Sequence, residues 1–178
     1  MNSYKNFLPD LFFNKLNDIV ISNNFPWYFQ EKTVRNKLLE GDDNFMFTHL
    51  LCDTKFDINS ELDLGTEEKS NWFPLFEPVQ YFIDSKFKVK KLLRMKLNLY
   101  TNQHKKINHQ PHVDYPFKNQ GIKTAVFNFT TCDGGTNVSD VFYKSVSNEI
   151  IIFNRENKHF GIVQTNKPRR IVLNINWK

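Results

Sequence analysis

Two hydrophobic rhythms divide this chain at about residue 88. In the first part apolar residues recur every three or four positions. Leu8, Leu11, Phe12, Leu16 and Ile19 have that spacing and predict a helix. Asn23-Asn24-Phe25-Pro26 ends it, because a proline pushes the residue before it out of helical geometry. Trp27, Tyr28 and Phe29 follow as an aromatic cluster, expected to pack in the core or to cover a pocket mouth. Residues 53–71 are polar and acidic and read as an exposed loop. Phe73, Phe76, Val79, Phe82 and Ile83 predict a second helix over 73–87, in which Pro74 and Pro78 fit only near the start.

After residue 88 the period falls to two. Leu93, Met95, Leu97 and Leu99 alternate with Arg94, Lys96, Asn98 and Tyr100, the mark of a half-buried strand. Further strands are predicted at 124–130, 141–146, 149–153, 159–164 and 170–177. Asp133-Gly134-Gly135 and Asn154-Arg155-Glu156-Asn157 are turns between them. Helices first and many short strands after give an α+β, mainly β class. The expected architecture is a β-sandwich or barrel with helices packed on one side. No repeat or linker divides the chain, so residues 1–178 read as one domain, with 1–90 as helical support and 91–178 as the β core.

Composition narrows the function classes. The chain has 178 residues, 40% of them hydrophobic and 18 of them Phe, enough to bury a core. Its longest apolar runs, such as Ile150 to Phe153, are far too short to cross a membrane as a helix. Two cysteines, Cys52 and Cys132, and no recognisable secretion signal lead us to expect a reduced, cytoplasmic setting. The net charge of +5 permits an anionic partner without requiring one. Lys86, Lys88, Lys90, Lys91 and Arg94 form a basic run, read either as a solvated face or as a phosphate-contacting surface on nucleic acid.

Among the five histidines, His112 carries the sharpest signal, in His112-Val113-Asp114. Residues two apart on a strand project from one face, so an imidazole and a carboxylate can address one point. His159 opens a later strand just after a turn, where a third ligand can be aimed at the same point. Two histidines and one carboxylate on one side of a metal suit a non-haem Fe(II) oxygenase, because the other positions stay open. Taken alone, a His-x-Asp tripeptide is common. Downstream, Arg169 shares a strand face with Ile171, Leu173, Ile175 and Trp177, whereas Arg170 shares the other with Val172, Asn174 and Asn176. The second face is polar enough to line a wet pocket, so Arg170 is the candidate carboxylate grip and Arg169 its fallback. His104 and His109 lie in the polar segment Asn102 to Gln110 and are expected to face solvent, with substrate contact at the pocket mouth as the alternative for His109. His49 is expected to be packed or at the surface, and not a ligand.

These pieces, in this order, resemble the double-stranded β-helix core of the 2-oxoglutarate/Fe(II)-dependent dioxygenases. The likeness is greatest to the prolyl 4-hydroxylase-like branch, and especially to small members encoded by marine bacteriophages. Lys96-Leu97-Asn98-Leu99-Tyr100 resembles the strand before the metal motif, and His112-Val113-Asp114 the motif itself. Thr124-Ala125-Val126-Phe127-Asn128-Phe129 resembles the next strand, Asp133-Gly134-Gly135-Thr136 the double-glycine turn, and residues 148–154 the strand leading to the distal histidine. His159 matches that histidine and Arg170 the co-substrate arginine. The resemblance implies a jelly-roll fold, Fe(II) on His112, Asp114 and His159, and 2-oxoglutarate near Arg170, with Tyr100, Asn128 and Asn98 as further co-substrate contacts. It implies hydroxylation of a C–H bond with release of succinate and carbon dioxide, with ascorbate as an accessory. The implied substrate is a peptidyl or prolyl side chain or a small molecule, bound under loops such as Asn102 to Gln110 and Tyr115 to Gln120. Two rival readings are a non-catalytic metal-binding jelly-roll module and a nucleic-acid-associated oxygenase using the basic 86–96 run. Prolyl hydroxylases usually have a lysine where this chain offers Arg170, and a tyrosine is frequent near Asn128.

Overall fold

The computed structural model describes residues 2–33, 44–56, 63–114 and 121–178. The predicted helices form. Helix α1 (Asp10–Ile21) buries Leu16 and Val20, with Leu8 buried just before it. Leu11, expected on the buried face, points outward at 73% exposure. Helix α2 (Phe73–Phe87) buries Phe73, Phe76, Val79 and Ile83. Pro74 is in its first turn, but Pro78 lies inside it and removes one ladder hydrogen bond. Phe12 of α1 stacks on Phe82 of α2, with ring centroids 5.9 Å apart.

Eleven strands are described. In chain order they are β1 (Asn2–Tyr4), β2 (Tyr28–Gln30), β3 (Met46–Phe56), β4 (Asp63–Lys69), β5 (Leu92–Thr101), β6 (Lys123–Asn128), β7 (Gly135–Val138), β8 (Val141–Lys144), β9 (Glu149–Asn154), β10 (His159–Ile162) and β11 (Arg169–Trp177). The large antiparallel sheet runs β1-β9-β6-β11-β5-β3-β2, with β4 also on β3. The small sheet is β10-β7-β8. Residues 107–112 run beside β10, through bridges from Asn108 to Ile162 and from His112 to His159. This is an α+β, mainly β fold, a double-stranded β-helix with both helices packed on the large sheet.

Strand alternation sorts the two faces of that sheet. Met95 and Leu97 on β5, Ala125 and Phe127 on β6, and Ile171, Leu173, Ile175 and Trp177 on β11 form the main core with the helices. The opposite face gives a smaller cluster between the sheets, with Tyr100, Val126, Val138, Ile151, Phe153 and Val172. Polar side chains on that same inner face form the site described below.

The first 90 residues differ from the helical support expected of them. They contribute β1, β2, β3 and β4 to the large sheet. Much of the stretch 53–71, expected as a loop, belongs to β3 and β4, joined by antiparallel pairs such as Cys52 with Lys69 and Asp53 with Glu68. A polar segment can form a strand at a sheet margin, because backbone pairing does not require a buried side-chain face. The aromatic cluster also divides. Trp27 packs edge-on against Phe25 at 5.1 Å and its indole N–H donates to the Val20 carbonyl, whereas Tyr28 and Phe29 are more than half exposed.

The double-glycine turn has a steric cause. A Cβ at Gly135 would stand 2.2 Å from the Tyr143 carbonyl oxygen, and one at Gly134 would stand 2.7 Å from that of Ile162. Both obstacles are backbone. Gly135→Ala is therefore expected to lower stability by about 1–3 kcal/mol, as overpacking does. Urea melts of the two proteins check this, and an unchanged midpoint would contradict it. Beside this turn Asp133 accepts hydrogen bonds from the Thr165 hydroxyl and backbone N–H, at 2.6 and 2.8 Å, which draw its carboxyl down to about 2.

Candidate active site

The alternation in β5 and β11 places Arg94, Lys96, Asn98, Tyr100 and Asn174 on one inner face, and all five line a cavity of about 270 Å³. His112 and Asp114 enter from the segment after β5, and His109, Gln30, Thr48 and Asp53 complete much of its wall. His159 opens β10. Its main chain exchanges two hydrogen bonds with His112, at 3.0 and 2.9 Å. That bridge brings together side chains 47 positions apart in the sequence. Each of His112, Asp114 and His159 offers one ligand atom, and these atoms all lie within 4.8 Å of one another.

The hydrogen bonds fix how the imidazoles are presented. His112 Nδ1 lies 3.1 Å from the Gln110 carbonyl, and His159 Nδ1 lies 3.1 Å from the Asn157 carbonyl. A carbonyl only accepts, so each Nδ1 donates there and each Nε2 is the nitrogen turned toward Asp114. The Nε2 atoms approach Asp114 at 4.0 Å from His112 and 3.8 Å from His159. His159 Nε2 is buried with no hydrogen-bond partner. Burial and the neighbouring His159 push the His112 imidazole below its ordinary value, so it is neutral, as a ligand must be.

Asp114 is held from three sides. Arg94 Nη2 donates to Oδ1 at 3.1 Å, and Asn176 Nδ2 donates to Oδ2 at 2.9 Å. The Thr124 hydroxyl also lies 3.3 Å from Oδ2. Burial alone would raise this carboxyl, but Arg94, His159 and Asn176 outweigh it and keep it well below the usual carboxylate range. Arg94 was grouped in sequence with the lysines of the basic run. The fold turns it into the cavity, away from Lys86, Lys88, Lys90 and Lys91, which lie at the end of α2 and in the connection to β5.

Arg170 is 1% exposed, while Arg169 on the other face is exposed. The Arg170 guanidinium stacks over Tyr100 at 5.5 Å and donates from Nη2 to the Thr136 hydroxyl at 2.9 Å. Its Nε has no partner, and no carboxylate among the described residues pairs with it. Asn98 donates to the Tyr100 hydroxyl at 3.3 Å and leaves its own buried Oδ1 without a partner. Asn128 differs from these. Its Oδ1 accepts from Ser145 at 3.0 Å and its Nδ2 donates to the Glu149 carbonyl at 3.2 Å, so both ends of its amide are engaged within the protein.

His109 differs from its expected solvent exposure. It is 4% exposed, stacks against Tyr100 at 5.0 Å and lines the cavity. A backbone bond pins it, from its N–H to the Gly161 carbonyl at 2.9 Å. Gly161 also leaves the room it needs, since a Cβ there would stand 2.9 Å from His109 Nδ1. His104 is exposed, as its polar segment predicts. His49 is buried, bonded to the Pro26 carbonyl and the Ser70 hydroxyl, and takes no part in the site. The segment Tyr115 to Gln120 lies outside the described residues.

No protein-family model matches the chain, and no curated protein matches its sequence. Solved structures do. A prolyl hydroxylase from Trichoplax adhaerens, in complex with a hypoxia inducible factor oxygen degradation domain peptide fragment, aligns with 99% of this chain and 82% of its own, at TM-score 0.61 and 10% identity. A Pseudomonas putida prolyl-4-hydroxylase aligns over 99% and 90%, at TM-score 0.57 and 12% identity. The chain has the fold of the 2-oxoglutarate/Fe(II) oxygenases. An oxidoreductase of the 2OG-Fe(II) oxygenase family from Burkholderia pseudomallei agrees, with 85% and 73% of the two chains covered, TM-score 0.58 and 12% identity. Identities this low establish the oxygenase fold alone; the grouping of His112, Asp114 and His159 is an observation on this chain itself. Among the described residues no helix is long and apolar enough to cross a membrane.

Proposed function

We propose that the protein is an Fe(II)- and 2-oxoglutarate-dependent oxygenase that hydroxylates a C–H bond of its substrate and releases succinate and carbon dioxide. One observation carries this reading: two histidine nitrogens and a carboxylate oxygen meet beside a cavity of an oxygenase fold. The residues fit the implied metal. Both Nε2 atoms face Asp114, that of His159 is buried with no hydrogen-bond partner, and Asp114 supplies one negative charge. Two nitrogens, one oxygen and open positions suit Fe(II). Held by His112, Asp114 and His159, Fe(II) would supply the activation of dioxygen that no side chain can provide.

The protein's own part is to bind, orient and shield. Arg170 is a buried charge without a carboxylate partner, and such a charge is costly until an anion meets it. We assign to it the distal carboxylate of 2-oxoglutarate, with Tyr100 walling the place and Asn98 offering its unpartnered amide end. The engaged amide of Asn128 supports a framework role over a direct co-substrate contact. The strand pairs on both sides of the site hold these groups on rigid elements, which is what precise placement requires.

The substrate is proposed as a peptidyl side chain, including prolyl, or a small molecule. The two prolyl hydroxylases of like fold support the first. The phage-group likeness rests on the sequence pattern of the N-terminal part and core strands, and we keep it as part of this reading, with a cytoplasmic setting. The separation of Arg94 from the lysines of the basic run weighs against a continuous phosphate-binding face, so the nucleic-acid reading ranks below.

Purified protein incubated with Fe(II), ascorbate and 2-oxoglutarate is expected to form succinate above a metal-free control, even without its true substrate. Binding of a divalent cation with no succinate under any candidate substrate would favour the non-catalytic jelly-roll module.

A further inference from the structure

The carboxylate of Asp114 is shared among more partners than a metal ligand needs. Its Oδ2 accepts from Asn176 at 2.9 Å and lies 3.3 Å from the Thr124 hydroxyl. Among the described residues its Oδ1 accepts only from Arg94, at 3.1 Å. A carboxylate oxygen has two good lone-pair directions. Oδ2 thus meets two protein donors and Oδ1 one, while His112 Nε2 stands 4.0 Å from Oδ1 and His159 Nε2 3.8 Å from Oδ2. The donors are also tied to each other: Arg94 Nε donates to Asn176 Oδ1 at 3.0 Å, and Asn176 Nδ2 lies 2.9 Å from the Thr124 hydroxyl. Arg94 comes from β5, Thr124 from β6 and Asn176 from β11, three neighbouring strands of the large sheet. Asn176 and Thr124 are fully buried, and Arg94 reaches the cavity wall.

We propose that Arg94 and Asn176 are positioning residues that lock the orientation of the Asp114 carboxylate toward a divalent cation shared with His112 and His159. This rests on the metal-binding reading above and adds to it what holds the carboxylate in place. Outer hydrogen-bond partners of metal-binding carboxylates commonly matter 10- to 100-fold in metal affinity. Without Arg94 the carboxylate loses its Oδ1 anchor and the brace on Asn176, and can rotate away from the two imidazoles. The bidentate fork of arginine suits this task, since Nε and Nη2 reach Asn176 and Asp114 together.

The test uses Co(II) as the probe, because its visible spectrum reports the number and arrangement of ligands. Co(II) is titrated into the full-length protein and into Arg94→Met, Arg94→Lys and Thr124→Val, with melting curves to check folding. The expected result is roughly 10- to 100-fold weaker Co(II) binding in Arg94→Met. Its visible band should change shape as well. Arg94→Lys should recover part of the affinity, as one donor to Oδ1 returns, and Thr124→Val, which removes the longest contact, should show the smallest change. Folded Arg94→Met with wild-type affinity and spectrum would overturn the proposal. Equal loss in Arg94→Met and Arg94→Lys, tracking only their melting temperatures, would overturn it too. If the wild-type protein itself fails to bind Co(II), the metal-binding reading falls first.

Discussion

Replacing His159 with alanine is expected to abolish retention of a divalent cation and with it all succinate formation. His159 is the only one of the three ligand residues that comes from the β10 side, and its Nε2 is already buried without a partner. Removing it leaves two ligands, both from one short stretch, 112–114. The loss should not be a folding effect. The main-chain bonds between residues 159 and 112 need no imidazole, and neither do the β10–β7 pairs. The side chain does touch Phe153, at 4.9 Å between ring centroids, so a modest drop in melting temperature is expected. Metal content after dialysis against Fe(II) or Mn(II), with melting curves, checks both halves. A folded His159→Ala protein that keeps one equivalent of metal would remove this residue from the site.

The second large effect is expected at Arg170. Its guanidinium is buried, bonded to Thr136 and stacked on Tyr100, yet has no anionic partner among the described residues. If 2-oxoglutarate supplies that anion, Arg170→Met breaks a buried charge pair, at a cost of about 3–5 kcal/mol. The 2-oxoglutarate concentration for half-maximal turnover should then rise by roughly a hundred- to a few-thousand-fold, since each ~1.4 kcal/mol is a factor of ten. Binding of Co(II) should change little, because Arg170 is not among the grouped ligand residues. Arg169→Met, on the exposed face of the same strand, should leave the requirement as it is. The reverse pattern would assign the anchor to Arg169.

The inner faces of β5 and β11 were legible because strict alternation is the strongest signal a strand can carry. Leu93 to Tyr100 and Arg169 to Trp177 state their faces residue by residue, and Arg170 follows from that parity alone. His112 and Asp114, two apart in the sequence, do reach one site, but not by strand alternation: they lie outside the strands, with His112 held by a bridge to His159 and Asp114 in a bend. Other parts were hidden for physical reasons. β4 reads Asp63-Leu64-Gly65-Thr66-Glu67-Glu68-Lys69, and a margin strand held by backbone bonds needs no apolar period. His109 is set in a lysine-rich segment that looks solvent-facing. What buries it is a backbone bond to Gly161 and the space left by a missing Cβ, neither of which a hydropathy pattern records. Arg94 was masked by its lysine neighbours, although its parity with Asn98 and Tyr100 already placed it on the inner face. Asn128 shares a face of β6 with Thr124 and Val126, but only the structure shows its amide taken up by Ser145 and Glu149.

The most direct measurement is a crystal structure of the protein grown with Mn(II) in place of Fe(II) and an inert analogue of 2-oxoglutarate. The expected density is one ion touching His112 Nε2, His159 Nε2 and an oxygen of Asp114, with the analogue reaching from that ion to the Arg170 guanidinium. An ion bound elsewhere, or an analogue whose far carboxylate never meets Arg170, would contradict the account.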